Sequence, residues 1–401
     1  MSDGQEDRIP KRRCEIGIET ANSSPYAVIV QSHSRIYRFP FIRPVVPPVA
    51  KWAHYLEPAY RAKWFSNFGP VVGQFETELG KRLCHLDEVI TTANNCTSGI
   101  AAALIARNVS GTVLIPAFTF PATVSAVIMA RAEPCVLDVD RDTWCLSASL
   151  LEKTLDSEKC GAVVLVAPFG LRQNFTRHFA ICAQHGVPVL IDNAAGLSSK
   201  GTPLPHQSCF EIYSLHATKP FAIGEGGAIR SRASEAEALR GALNFGLERG
   251  SVPGGSWGIN GKMPEVSAAI GLAVLEDFDR IINHRQAAAR RYVNLLKDFD
   301  HLDYPMEVDR APWQVFPVLL PSPAITSQFI KRAAKESLHV RRGYHPSLED
   351  WPGTKKIAAC ANARWLAERV VALPIYSDIT EDESLRIIEI VRGCFEEVLT
   401  A

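Results

Sequence analysis

The side chain with the clearest chemical potential is Lys219, which ends the segment SLHATK at 214–219. This segment follows a predicted strand at 210–213 and precedes a glycine turn at 224–227. An amine held in tight backbone beyond a strand end loses hydration, which lowers its pKa and makes it nucleophilic towards an aldehyde. A lysine in this position, taken alone, is more often a solvated surface residue.

A carboxylate could complement that lysine. Asp192 ends the apolar run VPVLID at 187–192, which predicts a buried strand with an acid at its carboxyl end. An acid at a strand end is also common as the cap of a following helix. The residue type of Asp192 therefore fits both a catalytic and a structural role, and the surrounding residues are needed to distinguish the two.

Two further segments add an anion site and a flat ring. Asn95, Cys96, Thr97 and Ser98 open an Ala-rich helix, and N–H groups with hydroxyls at a helix start can bind an anion or form a simple cap. Phe120 lies just past a predicted strand, where an aromatic can stack on a ligand or pack in the core. A lysine, a strand-end carboxylate, an anion site and an aromatic are together what pyridoxal phosphate (PLP) requires.

The elements that must position these groups alternate between strand and helix. Two helices are predicted first, at 51–63 and 73–84. The predicted strands are 88–92, 112–116, 134–139, 162–167, 187–192, 210–213 and 227–230, with helices between them at 97–107, 122–131, 147–155 and 175–185. This alternation is typical of an α/β domain with a mostly parallel sheet, whose ligands collect at the carboxyl ends of the strands.

The pattern changes after residue 263. A long helical stretch, in which one break is allowed, covers 264–296. It is followed by a predicted strand at 313–320, a helix at 327–336, a strand at 338–342 and helices at 361–370 and 381–399. We therefore predict a polar N-terminal extension over 1–35, a large domain over 36–275 and a small C-terminal α+β domain over 276–401.

Composition excludes several classes of protein. The chain has 401 residues, with 43 basic and 43 acidic side chains, and 47% of its residues are hydrophobic. It can therefore bury a core, and its zero formal charge argues against a nucleic-acid or membrane-surface protein. No stretch approaches the roughly 18–20 apolar residues of a membrane helix, and the polar N-terminus lacks the pattern of a secretory signal.

The ten cysteines do not form a metal or disulfide pattern. No pair is spaced C-x-x-C, which excludes zinc-ribbon and thioredoxin-like sites, and no H-E-x-x-H motif occurs. Most of the cysteines lie in apolar runs and are expected to be buried. We therefore expect a reducing, cytoplasmic location and no metal site.

Seven segments, in this order along the chain, resemble the DegT/StrS family of nucleotide-sugar aminotransferases, which use PLP on a fold-type-I scaffold. They are FSNFGPVVGQFE (65–76), IPAFTFPAT (115–123), PCVLDVDRDTW (134–144), HGVPVLIDNAAG (185–196), SLHATKPFAIGEGGAI (214–229), WGINGKMPEVSAAIGLAVLEDFD (257–279) and ALPIYSD (372–378). The resemblance covers the chain from about residue 39 onwards. It implies a large domain with a mixed, mostly parallel sheet and a smaller C-terminal α+β domain.

The resemblance also implies roles for the residues singled out above. Lys219 matches the lysine that binds the cofactor covalently and moves a proton, Asp192 the carboxylate that pairs with the pyridine nitrogen, and Phe120 the aromatic that stacks on the ring. Further cofactor-binding positions are matched by Cys96, Thr97, Ala194 and Ser214. Asn260 matches an asparagine that reaches the phosphate of the neighbouring subunit, which implies a homodimer with shared active sites.

Some positions depart from the family pattern. The family usually has Gln or His where this chain has Ala195, so a polar side chain near the ring hydroxyl is missing, and Cys96 stands where glycine is common. A register with Asn193 at the pyridine nitrogen is rejected, because the HGVP segment at 185–188 fixes the count to Asp192. Family members with His at the position of Lys219 are dehydratases, so the lysine favours an aminotransferase.

Candidate substrate residues come from the segments GINGKM (258–263) and RRGYHP (341–346), which resemble the branch acting on nucleotide-linked 4-keto-6-deoxy sugars. Lys262 and Arg342 could face a diphosphate, for which the bidentate geometry of arginine is suited. Arg342 equally fits a solvated strand end. Tyr344 and His345 are candidate sugar contacts.

The sequence therefore predicts a PLP-dependent aminotransferase. It would move an amino group from an amino acid, with glutamate as the expected donor, to a keto group of a nucleotide-linked deoxysugar. Its partners would be these small molecules and a second copy of the chain, with no nucleic acid and no membrane. Two alternatives stay open: a cyclitol or other non-sugar ketone, motivated by Ala195 and the N-terminal extension, and a catalytically silent family member, which Lys219 and Asp192 disfavour.

Overall fold

Helices and strands alternate along most of the described chain, as the apolar periodicity predicts. The computed structural model describes residues 37–205, 209–248, 252–253 and 257–399, so the predicted extension over 1–35 lies outside the described residues. The helices are α1 Val49–Trp52, α2 Glu57–Ala62, α3 Pro70–Leu83, α4 Cys96–Ala106, α5 Ala122–Met129, α6 Ala148–Ser157, α7 Thr176–Gln184, α8 Ala236–Leu243, α9 Glu265–Leu296, α10 Pro323–Lys335, α11 Ala361–Arg369 and α12 Glu381–Leu399.

Within the described ranges, the strands divide between two main sheets and one short ribbon. They are β1 Glu88–Ala93, β2 Thr112–Pro116, β3 Glu133–Leu137, β4 Ala162–Val166, β5 Val189–Asp192, β6 Cys209–Ser214, β7 Gly227–Arg232, β8 Leu247–Glu248, β9 Val252–Pro253, β10 Val315–Leu319, β11 Arg341–Arg342, β12 Lys355–Lys356 and β13 Val370–Pro374. The ribbon pairs β8 with β9.

The large sheet has the order β1-β7-β6-β5-β4-β2-β3-β12. The pairs from β12 through β6 are parallel, whereas β7 runs antiparallel to both β6 and β1. The predicted mixed, mostly parallel sheet is therefore confirmed. Because Gly227 at the start of β7 pairs with Ser214 at the end of β6, the carboxyl ends of the parallel strands and the start of β7 lie at one edge.

Side chains of the large sheet alternate between two apolar clusters, one on each face. Leu190 packs with α4 and α5 residues on one face, whereas Val189 and Ile191 pack with α6 and α7 residues on the other. The period of two in a strand produces this alternation. Helices consequently cover both faces, which explains why the strands β2, β4 and β5 are nearly continuous apolar runs.

A second sheet, β10-β13-β11, lies in the C-terminal part of the chain. Its strands are antiparallel, with Val315 opposite Pro374 and Arg342 opposite Val371. Residues of α10, α11 and α12 share one buried cluster with this sheet. The strand β13 has no counterpart among the predicted strands, and the predicted strand at 338–342 is reduced to the two residues of β11.

The helix α9 connects the regions around the two sheets. It is one continuous helix of 32 residues, without the break that the sequence allowed. The rise of an α-helix makes it about 48 Å long. Phe278 lies in a cluster with α3, whereas Tyr292 and Leu296 lie in the cluster of the C-terminal sheet. The predicted domain boundary at 275/276 falls inside this helix and stays a prediction.

Short segments also cross between the two parts of the chain. Phe39 forms an isolated bridge with Leu338, and the C-terminal strand β12 adds to the edge of the large sheet beside β3. Within the described ranges, no helix combines the length and apolar character needed to cross a membrane.

Candidate active site

Asp192 occupies the carboxyl end of β5, where its carboxylate is almost fully buried. The hydroxyl of Thr123, in the first turn of α5, donates to Oδ2 at 2.8 Å, and the N–H of Ala194 donates to Oδ1 at 3.2 Å. Burial raises the pKa of Asp192, and these two donors and the charge of Lys219 oppose that rise. A cationic group beside Asp192 would therefore relieve the cost of burying its charge.

Asn193, the residue rejected as the pyridine partner, has its amide in a different contact. Its Nδ2 donates to Oε1 of Glu211 at 2.8 Å, on the neighbouring strand β6. Ala195 is buried and its carbonyl lies against Gly170, where an added Cβ would approach the Ala195 oxygen to 2.3 Å. This geometry agrees with the choice of Asp192 over Asn193.

Lys219 lies in a loop that the backbone closes tightly between β6 and β7. The N–H of Leu215 donates to the Gly226 carbonyl at 2.9 Å, and the N–H of Ala217 donates to the Gly224 carbonyl at 2.7 Å. Gly224 adopts a φ of +96°, which glycine tolerates without strain. The glycine turn predicted beside the lysine therefore fixes the path of the loop.

The amine of Lys219 is half-buried and is hydrogen-bonded to a side chain from the C-terminal part of the chain. Its Nζ donates to Oε1 of Gln314, just before β10, at 2.9 Å. Burial lowers the pKa of Lys219, while Cys96 and Asp192 act in the opposite direction. A lysine with a lowered pKa carries more of the neutral amine, which is the form that attacks a carbonyl.

The start of α4 meets the start of β7 at the same edge. Asn95 caps the helix, because its side-chain oxygen accepts a hydrogen bond from the backbone N–H of Ser98 at 2.8 Å. The N–H groups of Cys96 and Thr97 are in the first turn, where a helix offers no internal acceptor. A Cβ on Gly227 would lie 2.6 Å from the Asn95 backbone, so only glycine allows this close approach.

These residues fit PLP. The close contact at Gly227 brings the end of β6, with Ser214, to the helix start, and such a cluster of N–H and O–H donors suits a phosphate. Phe120 is 64% exposed although it is a large aromatic, which leaves a ring face open beyond β2. The residues that could hold the cofactor here are Cys96, Thr97, Ser214 and Ala194 together with Lys219 and Asp192, and their individual roles stay predictions.

An aromatic cluster closes the side of the site next to β4. The ring of Tyr344 stacks on Phe169 at 4.7 Å and meets Phe118 edge-on at 5.0 Å. The Tyr344 hydroxyl accepts the N–H of Phe169 at 3.0 Å. Both Phe169 and Tyr344 have positive φ angles, 56° and 48°, which is a strained conformation for aromatic residues. The structure thus gives Tyr344 a packing role, while its predicted sugar contact stays a prediction.

Asn260 and Lys262 form a local pair. Asn260 is exposed, and its Oδ1 accepts from Nζ of Lys262 at 2.8 Å. The lysine is 8% exposed, lies 4.2 Å from the ring centre of Phe245, and has its pKa lowered by burial. The segment is anchored beside the helix start, because the N–H of Asn94 donates to the Gly261 carbonyl at 2.7 Å.

The remaining predicted substrate residues have separate surroundings. Arg342, on β11, donates to Oγ of Ser327 in α10 at 2.7 Å. His345 lies at the surface, and its pKa is lowered by partial loss of hydration and by the charge of Arg342. Neither side chain has a contact with Lys219 or Asp192 among the described residues, so their substrate roles stay predictions.

Two residues of the site were not singled out from the sequence. Thr123 is the last residue of the segment IPAFTFPAT, and Gln314 is a polar residue directly before an apolar strand, a weak signal that nothing else in the sequence strengthens. Across the ranges that the structure describes, no group of three or more His, Cys, Asp or Glu side chains is placed to hold a metal ion.

The sequence matches the DegT/DnrJ/EryC1/StrS aminotransferase family over residues 50–392. The chain belongs to this family. Rv3402c of Mycobacterium tuberculosis is 30% identical over 383 residues, which cover 90% of each chain. A dTDP-4-amino-4,6-dideoxy-D-glucose transaminase of Shigella dysenteriae is 27% identical over 363 residues, covering 87% of this chain and 97% of that one. A crystal structure of DesI in the presence of its TDP-sugar product has a TM-score of 0.78 at 27% identity, covering 90% and 94%.

Membership of the DegT/DnrJ/EryC1/StrS family confirms three predictions. The chain is a PLP-dependent aminotransferase, its fold is the type I fold, and PLP is its cofactor. The amino donor, the acceptor and the roles of individual residues are not fixed by membership alone.

Proposed function

We propose that the protein transfers an amino group from an amino acid, with glutamate as the expected donor, to the ketone of a nucleotide-linked 4-keto-6-deoxyhexose. The observation that carries the chemistry is that Lys219 and Asp192 lie close enough for their charges to interact at one edge of the large sheet, beside a helix start whose N–H groups could hold a phosphate. The names of the Shigella dysenteriae transaminase and of DesI with its TDP-sugar product support the acceptor.

Each residue has a task that its position supports. When bound, PLP stabilises negative charge on the substrate carbon and carries the amino group between the two substrates. Lys219 holds the cofactor and, when released, moves a proton at that carbon. Asp192 keeps the pyridine nitrogen protonated, and Thr123 holds the carboxylate in place through its hydroxyl.

The other groups bind and orient. The first N–H groups of α4, at Cys96 and Thr97, and the hydroxyl of Ser214 would hold the phosphate. Phe120 would cover one face of the ring. The tight loop from Leu215 to Gly226 limits the movement of Lys219, so that its amine stays close to the cofactor throughout the reaction.

The absorption spectrum of the purified protein, before and after excess glutamate, tests the cofactor, the lysine and the donor. We expect a visible band that converts to the near-ultraviolet band of the aminated cofactor. Lys219→Ala should lose the visible band, whereas Lys331→Ala, at an exposed lysine of α10, should keep it. A band that glutamate does not change would contradict the donor, and a band that survives Lys219→Ala would contradict the role of the lysine.

The acceptor is tested by the reverse colour change. Protein carrying the aminated cofactor is mixed with a dTDP-linked 4-keto-6-deoxyhexose or with a cyclitol ketone. Recovery of the visible band with the sugar alone supports the proposed acceptor. Recovery with the cyclitol alone would overturn it and favour the second candidate, which is motivated by the apolar Ala195 at a position where the family usually has a polar side chain.

We further propose a homodimer in which Asn260 completes the site of the partner. Large apolar side chains are exposed around its segment, including Trp257 at 78% and Phe245 at 50%. Phe65, also 50% exposed, is held next to the start of α9, because its carbonyl accepts the N–H of Glu265 at 3.3 Å. An exposed apolar surface of this kind is typical of a protein–protein interface.

Mixed subunits test the shared site. Lys219→Ala and Asn260→Ala chains are each expected to be inactive or weak, and their mixture should regain activity after subunit exchange. The mixed dimer would contain one site with both residues intact. A mixture with no more activity than its components, or a monomer by sedimentation, would contradict the shared site.

A further inference from the structure

Lys219 is connected to the C-terminal sheet through a side chain that family membership does not assign. Gln314 directly precedes β10, and its Oε1 accepts from Nζ of Lys219 at 2.9 Å. The two residues are 95 positions apart in sequence. A contact between such distant parts of the chain requires that both sheets be in place before the amine is held.

The direction of the Gln314 amide follows from its neighbours. The N–H of Thr218 donates to Nδ1 of His216 at 3.2 Å, so Nδ1 is the lone-pair nitrogen and Nε2 carries the hydrogen. Nε2 faces Glu225 at 3.5 Å. The hydroxyl of Thr218 can then donate to Nδ1 at 2.8 Å and accept from Nε2 of Gln314 at 3.5 Å. This leaves the oxygen of the amide, rather than its nitrogen, facing Lys219.

The backbone before Gln314 is constrained. Trp313 is completely buried and has a φ of 55°, a strained conformation that persists only where the surroundings enforce it. Arg285 of α9, 4% exposed, donates to the carbonyls of Trp313 at 2.7 Å and Ile375 at 3.1 Å, and to Oγ of Ser377 at 2.9 Å. A buried guanidinium and a strained tryptophan therefore fix the segment that presents Gln314.

We propose that Gln314 is a positioning residue that holds the amine of Lys219 after its release from the cofactor, with Thr218 and His216 fixing the amide and Arg285 fixing the backbone. This inference rests on the role proposed for Lys219. An oxygen acceptor at 2.9 Å keeps the free amine in one orientation, so that its lone pair or proton is presented to the reacting carbon rather than to solvent.

The pH dependence of the Lys219 amine tests this directly, with a readout other than turnover. Holoenzyme is converted by glutamate to the form in which the lysine is free, desalted, and treated with acetic anhydride from pH 6 to pH 10. Acetylation of the peptide containing Lys219 is measured by mass spectrometry. Gln314→Glu should raise the midpoint by about 1 unit or more, because a carboxylate beside an amine favours the ammonium form. Gln314→Leu should lower it.

The matched control is Gln184→Leu, at an exposed glutamine that ends α7. It should leave the midpoint unchanged. Thermal melting of each variant shows that it is folded. Identical midpoints in the wild type and Gln314→Glu would overturn the positioning role.

Single-turnover kinetics separate this role from simple structural support. Gln314→Leu should slow the glutamate half-reaction by about 10- to 100-fold, with the glutamate concentration at half-maximal rate changed by less than about threefold. In Lys219→Ala rescued by methylamine, the same substitution should have no further effect. An equal loss in both backgrounds would show that Gln314 does not act through the lysine. Full activity of unrescued Lys219→Ala would instead refute the proposed function itself.

Discussion

Two buried arginines, one in each part of the chain, are accommodated in opposite ways. Arg230 of β7 is 1% exposed and donates to Glu88 at 2.7 Å and to Glu211 at 2.8 Å. Arg285 of α9 is 4% exposed, and within the described residues its hydrogen bonds go to carbonyl oxygens and one hydroxyl. Both side chains are almost completely removed from solvent, and they differ in how their charge is balanced.

The pKa shifts of the two arginines show the same difference. Burial would lower the pKa of Arg230, but the bond to Glu88 and the charge of Glu211 raise it above its usual value. Burial lowers the pKa of Arg285, and the charge of Asp378 opposes this. The guanidinium of Arg230 in the large sheet is thus hydrogen-bonded to carboxylates, whereas within the described residues that of Arg285 in α9 is hydrogen-bonded to uncharged oxygens. Arg285 donates to the carbonyls of Trp313 and Gln314, so its buried charge holds the backbone that carries Gln314.

The largest effect on stability is expected from Arg230→Met. It would leave Glu88 and Glu211 with uncompensated negative charge, one of them fully buried, and should lower the free energy of unfolding by about 3–5 kcal/mol. Denaturant titration measures this. Arg386→Met, at an exposed arginine of α12, should cost less than about 0.5 kcal/mol. Adding Glu88→Gln should recover part of the loss, and no recovery would contradict the charge argument.

Arg285→Met should be less destabilising, at about 1–3 kcal/mol, because it removes a costly buried charge along with its hydrogen bonds. Its effect on the glutamate half-reaction should nevertheless exceed that of Arg230→Met, since the carbonyls of Trp313 and Ile375 lose their donor. Single-turnover rates at equal folded fractions measure this. If both variants slowed the half-reaction equally, Arg285 would have no special role in holding the backbone of Gln314.

Thr123→Val tests whether the hydrogen bond from Thr123 keeps the carboxylate of Asp192 deprotonated. Its hydroxyl donates to the carboxylate, so its loss should raise the pKa of Asp192 further. The lost hydrogen bond should weaken transition-state stabilisation by about 1 kcal/mol, which is close to a fivefold loss in rate. Because the deprotonated carboxylate is the active form, the acid limb of the pH–rate profile should move to higher pH. The control is Thr119→Val, whose hydroxyl meets Thr123 at 3.2 Å; an equal shift in that control would contradict the direct role.

The smallest effect is expected at a half-buried ion pair near the surface. Arg43 lowers the pKa of Glu383 to about 2 from the usual 4.5, since its guanidinium donates to the carboxylate. A lowered carboxylate pKa stabilises the fold above the unfolded value and loses that contribution as pH falls from 4.5 towards 2. Glu383→Gln should cost about 0.5–1 kcal/mol at pH 6, and the difference should shrink by pH 3. A constant difference would exclude the ion pair as its source.

Much of the candidate active site could be predicted because its residues lie at the ends of strands and helices of the large sheet. The apolar run before Asp192 predicts the strand that it ends, and the glycines after Lys219 predict the tight turn beside it. The strand β2 begins and ends at the predicted residues. Thr123 and Gln314 could not be found this way. Each is a common polar residue whose partner is remote in sequence, and the direction of Gln314 depends on the strained backbone of Trp313.

The C-terminal sheet was less predictable for a related reason. Its central strand β13 follows α11 directly, so the run ERVVALP contains no turn residue to separate a strand from the helix before it. In α9, the apolar positions pass from one buried cluster to another, which resembles a break although the backbone is continuous. Tertiary packing decided both cases.

The two-residue strand β12 has a consequence for how the chain avoids aggregation. It covers the open edge of β3, whose residues Cys135 and Val136 pair with it. An uncovered, flat and apolar edge is a template for joining another chain, and lysines are a common deterrent at such edges. Lys355 and Lys356 are both exposed, so this strand ends the sheet with charge. Removal of the segment that carries it would therefore leave the large sheet prone to edge-to-edge self-association.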